Sequence, residues 1–137
     1  MSKMIFVNLP VTDLAKATAF YEAVGATKNP QFSDDTAACM VFSEAIHVML
    51  LTHEKFSQFT PRTIAGRDTA EVLNCLVADS REAVDAFASQ AAGAGGKDHT
   101  PPKDYGFMYG RSVEDPDGHI WEVMYMDMAA AAEAMQG

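Results

Sequence analysis

IFVNLPVTDLAKATAFYEAVG, residues 5–25, is the stretch on which the fold turns. Residues 4–11 are dense in apolar side chains and read as a buried strand. Thr12 and Asp13 are both residue types that cap helices. Leu14, Ala17, Phe20, Tyr21 and Val24 then recur at helical spacing until Gly25 stops the run. The same order returns later in the chain. Residues 71–78 read as a strand, Asp79 or Ser80 as a cap, and Ala83, Val84, Phe87 and Ala88 as the inward side of a helix ended by Ala92-Gly93-Ala94-Gly95-Gly96. Each unit is followed by a strand pair. Residues 37–43 and 46–52 flank Ser43-Glu44-Ala45, and residues 107–113 and 119–126 flank Asp115-Pro116-Asp117-Gly118. The second turn is the stronger signal, because Pro presets one dihedral and Gly takes the positive one.

An internal repeat follows from this order. An offset of 66 lays Asn8 on Asn74, Val11 on Val77, Asp13 on Asp79 and Tyr21 on Phe87. An offset of 72 lays Val41 on Val113, His47 on His119 and Leu51 on Val123. The reading is an α+β fold of two βαβββ modules, two curved half-sheets closing around a central cavity. The 137 residues make one domain: module one at 1–53, a linker or lid at 54–69, module two at 70–127 and a tail at 128–137. The linker is polar, contains Pro61 and Gly66, and is too long for a hairpin loop. The tail is Ala-rich and reads as a short helix capped by Asp127.

Nineteen acidic residues against ten basic ones give a net charge of −9, which leaves no electrostatic footprint for nucleic acid or anionic membrane. The longest unbroken apolar run, Ala37 to Phe42, is far short of a membrane span. Neutral or cationic small molecules, or a second copy of the chain, are the expected partners. Met4-Ile5-Phe6-Val7 enters a strand with no signal-peptide core before it, and Cys39 and Cys75 lack the spacing of a metal pair or a disulfide framework. Free buried thiols in a reducing cytoplasm are expected. No Ser-His-Asp or Cys-His order, phosphate-binding Gly loop or HExxH helix is present.

Asn8-Leu9-Pro10-Val11-Thr12-Asp13-Leu14 with Phe20-Tyr21 resembles the opening of glyoxalase/bleomycin-resistance proteins, the vicinal oxygen chelate superfamily. Asp115-Pro116-Asp117-Gly118-His119-Ile120-Trp121-Glu122 resembles its closing signature. Tyr105-Gly106-Phe107-Met108-Tyr109-Gly110 and the stretch from His119 to Asp127 look like the subgroup labelled predicted lactoylglutathione lyases. The resemblance implies four metal-ligand positions, one on each first strand and one on each last strand. Carried over with the repeat offsets, they fall on Phe6, Val72, Leu50 and Glu122. Only Glu122 retains a ligand. A catalytic zinc site needs about three protein ligands, so no metal or other cofactor is expected. Zinc, nickel or magnesium at a rebuilt site is the less favoured outcome.

If Glu122 faces inward, the period of two brings Met124 with it, and the cavity holds Phe6, Asn8, Leu50, Val72, Asn74, Glu122 and Met124. That is an apolar cup with two amides and one carboxylate. His53, at a strand end, can swing towards its mouth, whereas the other histidines are expected at turns and strand ends facing solvent. Two functions are consistent with this cup. One is a glyoxalase-like lyase or isomerase, resembling lactoylglutathione lyase, in which Glu122 moves a proton next to a carbonyl. The other is a metal-free protein that sequesters a small compound, as in the bleomycin-resistance branch. The resemblance also implies a homodimer whose strands complete the cup.

Overall fold

The computed structural model describes residues 3–136. The first half runs β1 (Ile5–Val11), α1 (Leu14–Ala23), β2 (Thr27–Asn29), a 3-10 turn (Pro30–Phe32), β3 (Ala37–Val41) and β4 (Ile46–Thr52). A short α2 (His53–Ser57) opens the linker. The second half runs β5 (Asn74–Val77), α3 (Arg81–Gly93), β6 (Lys97–Asp104), β7 (Met108–Glu114) and β8 (Ile120–Met126), and α4 (Met128–Gln136) closes the chain. Two four-stranded sheets result, ordered β1-β4-β3-β2 and β5-β8-β7-β6. In each the first and last strands of the module pair in parallel and the remaining pairs are antiparallel. The fold is α+β with two βαβββ modules.

The helices start where capping chemistry dictates. The Asp13 carboxylate accepts from the Lys16 backbone N–H, and the Ser80 hydroxyl oxygen accepts from the Ala83 N–H. Ala17, Phe20 and Tyr21 of α1 and Val84, Ala88 and Ala91 of α3 are buried. All of these but Val84 share one core with Leu9, Val11, Val48 and Leu50 of the first sheet and with Val113 and Trp121 of the second. Docking of the tail is also settled: the Asp127 carboxylate caps α4, and Ala131 is buried.

Two strands escape the sequence pattern. β2 is three residues long. β6, KDHTPPKD, has no apolar alternation and two prolines. It exists because β7 offers it an unpaired edge, where proline is tolerated, and its register slips twice between Asp98 and Lys103. Gly96 permits this entry, since a Cβ there would stand 2.4 Å from the Glu114 carbonyl and 2.6 Å from the Phe20 ring.

The turn Asp115-Pro116-Asp117-Gly118 locks the modules together. Asp115, 1% exposed, accepts from the Tyr21 hydroxyl (2.6 Å) and from the backbone N–H groups of Asp117 and His119 (both 2.9 Å). The Tyr21 oxygen in turn accepts from the Trp121 indole N–H. Asp117 accepts from the backbone and hydroxyl of Thr12, and His119 Nε2 donates to the Pro10 carbonyl. Arg67, from the linker, donates to the Pro116 carbonyl and lies across Gly118, whose φ of +89° and bare Cα leave it room.

Each sheet thus turns one face to the joint core. The opposite faces carry Phe6, Asn8, His47 and Met49 on one sheet and Cys75, Ser112, Glu122 and Met124 on the other. Among the described residues, two hollows stand out, and neither is lined by both outward faces.

Candidate functional site

Strand register places the chemistry of the second sheet in one row. Cys75 on β5 stands beside Glu122 on β8, Glu122 beside Ser112 on β7, and Ser112 beside Thr100 on β6. Cross-strand neighbours share a face, so a thiol, a carboxylate and two hydroxyls line one hollow of about 60 Å³. Gly110 and Met124 form the next row towards Lys103. The hollow exists partly because Gly110 has no side chain: the nearest atoms a Cβ there would meet belong to Met124, Met108 and the Val123 carbonyl, at 3.6–3.9 Å.

Glu122 is half-buried and without an ion-pair partner among the described residues. Arg111, the nearest candidate by sequence, is committed to Asp85 (3.0 Å) and Asp98 (3.3 Å) on the other side of the sheet. The Tyr109 hydroxyl donates to the same Asp85. Partial desolvation of the sulfur against the sheet, and then the neighbouring Glu122 charge, push the Cys75 thiol pKa above its usual value even though the residue as a whole is exposed. The thiol therefore stays protonated, able to donate rather than attack.

The residues expected around the cavity separate into three places. Glu122 and Met124 line the hollow together. Phe6 is half-exposed and stacked on His47 at 4.4 Å, and Asn8 lies exposed beside it on the outer face of the first sheet. Leu50 is fully buried in the core on the opposite face. Val72, outside any strand, and Asn74 line a different and larger hollow at the seam between the modules. His53 is exposed at the start of α2 and lines neither hollow. His47 does not face solvent as expected: it is 8% exposed, and its Nδ1 has no partner. Cys39 is buried as expected, but Cys75 is exposed, because β5 is an edge strand with an uncovered outer face.

A one-residue error in the repeat explains the scatter. The pair Asn8 and Met49 lies on the outward face of its sheet as the pair Cys75 and Glu122 does, so like faces match at offsets of 67 (Asn8 to Cys75) and 73 (Met49 to Glu122), whereas 66 and 72 lay the buried Leu9 and Leu50 on Cys75 and Glu122. A slip of one moves every side chain to the other face. The cue was the caps, Asp13 and Ser80, which set the helix starts 67 apart rather than 66 (Leu14 and Arg81). Reasoning from the shorter offset missed Cys75, Ser112, Thr100 and Gly110.

The corrected register carries the four ligand positions implied by the resemblance to Phe6, Met49, Leu73 and Glu122. One carboxylate and three side chains without a hard donor do not fit a divalent cation. No group of three or more His, Cys, Asp or Glu side chains capable of holding a metal occurs among the described residues. Nor is any described helix long and apolar enough to cross a membrane.

Among solved structures, the chain resembles a hypothetical protein, SA1046, from S. aureus, at 27% identity and a TM-score of 0.77 over 91% of this chain and 95% of that one. A glyoxalase/bleomycin resistance protein/dioxygenase family enzyme from Burkholderia phytofirmans PsJN aligns at 20% identity and a TM-score of 0.75, covering 91% and 99%. The fosfomycin resistance protein FosX from Listeria monocytogenes aligns at 18% identity and a TM-score of 0.66, covering 91% of each chain. The last two likenesses speak for fold alone. No curated relative matches. The model of the Glyoxalase/Bleomycin resistance protein/Dioxygenase superfamily matches residues 3–123. With that match spanning nearly all of both modules, and the paired βαβββ topology beneath it, the chain belongs to the glyoxalase/bleomycin resistance protein/dioxygenase superfamily.

Proposed function

We propose that the chain is a glyoxalase-like enzyme, resembling lactoylglutathione lyase, that shifts a proton between adjacent carbons of a small carbonyl compound without a bound metal. The observation that carries this is the unpaired Glu122 carboxylate in a row with Ser112, Thr100 and Cys75. A carboxylate with no ion-pair partner among the described residues is available as a base. It removes the proton from the hydroxyl-bearing carbon next to the carbonyl and returns it to the former carbonyl carbon, while the hydroxyl proton passes to the other oxygen of the enediolate, so that hydroxyl and carbonyl exchange places. The Ser112 and Thr100 hydroxyls stand where they can donate to the enolate oxygen that develops. Met108, Met124 and the open space over Gly110 receive the apolar part of the substrate.

A hollow of about 60 Å³ cannot enclose such a substrate alone. A second copy covering it is consistent with the apolar side chains exposed around the unpaired edges of β1 and β5: Ile5, Phe6, Leu73 and Val77 are each about half to two-thirds exposed. We read the working unit as a homodimer, acting in a reducing cytoplasm where both cysteines stay free.

Glu122→Gln tests the chemistry. With a hemithioacetal of methylglyoxal as substrate and proton NMR as readout, turnover falls about 10²–10⁴-fold, the range of lost general-base catalysis. The urea midpoint stays unchanged. Wild-type turnover in the variant removes Glu122 from the mechanism. A second reading rests on the same unpaired charge and the net −9: sequestration of a cationic compound, with Glu122 as counter-ion. In that case cationic ligands raise the melting temperature of the wild type but not of Glu122→Gln, and no compound is converted.

A further inference from the structure

The hollow large enough for a small molecule is not the one beside Glu122. It lies at the seam, between the linker and the ends of β1 and β8, with a volume of about 370 Å³. That falls within the range of small-molecule sites, about 300–1,000 Å³. The linker that roofs it is held at two points. α2 packs on the end of β4, and Arg67 is fastened to the Pro116 carbonyl at 2.7 Å across Gly118. The hollow is therefore preformed.

Its wall is apolar at Leu9, Phe56, Ile64 and Ile120. Four charged side chains also line it. Two are occupied: Arg67 by the Pro116 carbonyl and Glu114, and Asp117 by Thr12. The other two, Arg62 and Glu71, make no ion pair with any described residue. One uncommitted guanidinium and one uncommitted carboxylate at an apolar hollow call for a ligand carrying both charges. A ligand with no net charge also escapes the repulsion that a chain of −9 exerts on an anion.

We propose that the seam hollow is a second binding site, for an apolar zwitterion of amino-acid or short-peptide type. Its carboxylate meets Arg62, its ammonium meets Glu71, and its side chains rest on Phe56, Ile64 and Ile120. The site is independent of the Glu122 reading, since the two hollows share no lining residue.

Calorimetric titration of the full chain tests it. The probes are phenylalanine, the dipeptide phenylalanyl-leucine, the dipeptide's C-terminal amide and its N-acetyl form. At least one free zwitterion binds, and which one distinguishes the amino acid from the peptide. Amidation and acetylation each weaken binding about tenfold, equivalent to about 1.4 kcal/mol. Arg62→Gln abolishes the penalty of amidation, and Glu71→Gln that of acetylation. Ile64→Trp fills the hollow and removes binding, while Glu122→Gln leaves it intact. Absence of binding by both zwitterions at millimolar concentration overturns the proposal. So does equal affinity for the blocked peptides, or loss of binding in Glu122→Gln. Arg62 and Glu71 are exposed side chains whose replacement spares the fold, so the test stands even where Ile64→Trp folds poorly.

Discussion

Asp115→Ala is the most demanding test of the seam. The carboxylate accepts three hydrogen bonds, from Tyr21, Asp117 and His119. Removing it strands the Tyr21 hydroxyl in a fully buried position, at about 1–3 kcal/mol for an unsatisfied buried group. The two turn N–H groups belong to half-buried residues that water can reach, and they add roughly 1 kcal/mol each. The expected total is about 3–5 kcal/mol, a large share of the ~5–15 kcal/mol that stabilises a typical domain. If the turn were only a turn, the same change would cost within about 0.5 kcal/mol.

The assay is urea unfolding followed by the single tryptophan, Trp121, which sits in this network and reports on it directly. Tyr21→Phe removes the 2.6 Å bond to Asp115 and leaves the indole N–H unpartnered. Because the two changes share one bond, the double variant is less destabilised than the sum of the singles by about 1.5–3 kcal/mol. A loss below about 1 kcal/mol for Asp115→Ala, or strict additivity in the cycle, would refute the reasoning.

Four further outcomes are expected. Arg81 holds the Asp104 carboxyl down to about 2, and Tyr109, followed by Arg111, holds Asp85 below its usual range. Depressed carboxylates stabilise the fold above 3.8 and lose that contribution as pH falls towards 2, so urea midpoints drop across this window and Arg81→Gln flattens the slope. Burial raises Asp115 instead. Its contribution is full below 3.8 and lost as pH rises through its raised value, so Asp115→Asn steepens the acid loss. Gly96→Ala forces a Cβ against backbone and costs roughly 1–3 kcal/mol, whereas Gly110→Ala, with ordinary contacts, leaves stability nearly unchanged and narrows the hollow beside Glu122; equal effects would contradict the contact geometry. The proposed homodimer is tested by Phe6→Lys and Leu73→Lys, at the exposed edges of β1 and β5: in analytical ultracentrifugation the wild type sediments as a dimer and both variants as monomers with unchanged circular dichroism, while a monomeric wild type overturns the dimer and variants that stay dimeric place the interface elsewhere.

Legibility tracked the range of the interaction that decides each feature. The caps narrowed to Asp13 and Ser80, and the strand pairs around residues 43–45 and 115–118 stand where turn chemistry puts them. Glu122 and Met124 share a face because a period of two is local. Phe6, Asn8, Leu50, Val72 and Asn74 did not assemble around them. The likeness of Asn8 to Asn74 suggested an offset one residue short, and nothing in a single strand records which partner residue it pairs with. β6 was invisible because its stability comes from the free edge of β7 rather than from its own side chains.

The amino-acid sequence by itself determined the order of most elements, their caps and turns, and the doubled module. Each of these follows from contacts between residues a few positions apart, or from residue type alone. Only the tertiary structure decided that the Asp115 turn is a lock between modules, that the linker roofs a hollow, and that thiol, carboxylate and hydroxyls form one row. Tyr21 and Asp115 are 94 residues apart, and Pro10 and His119 are 109 apart. Across such distances, partnership is set by how the chain packs as a whole, and no local pattern encodes it.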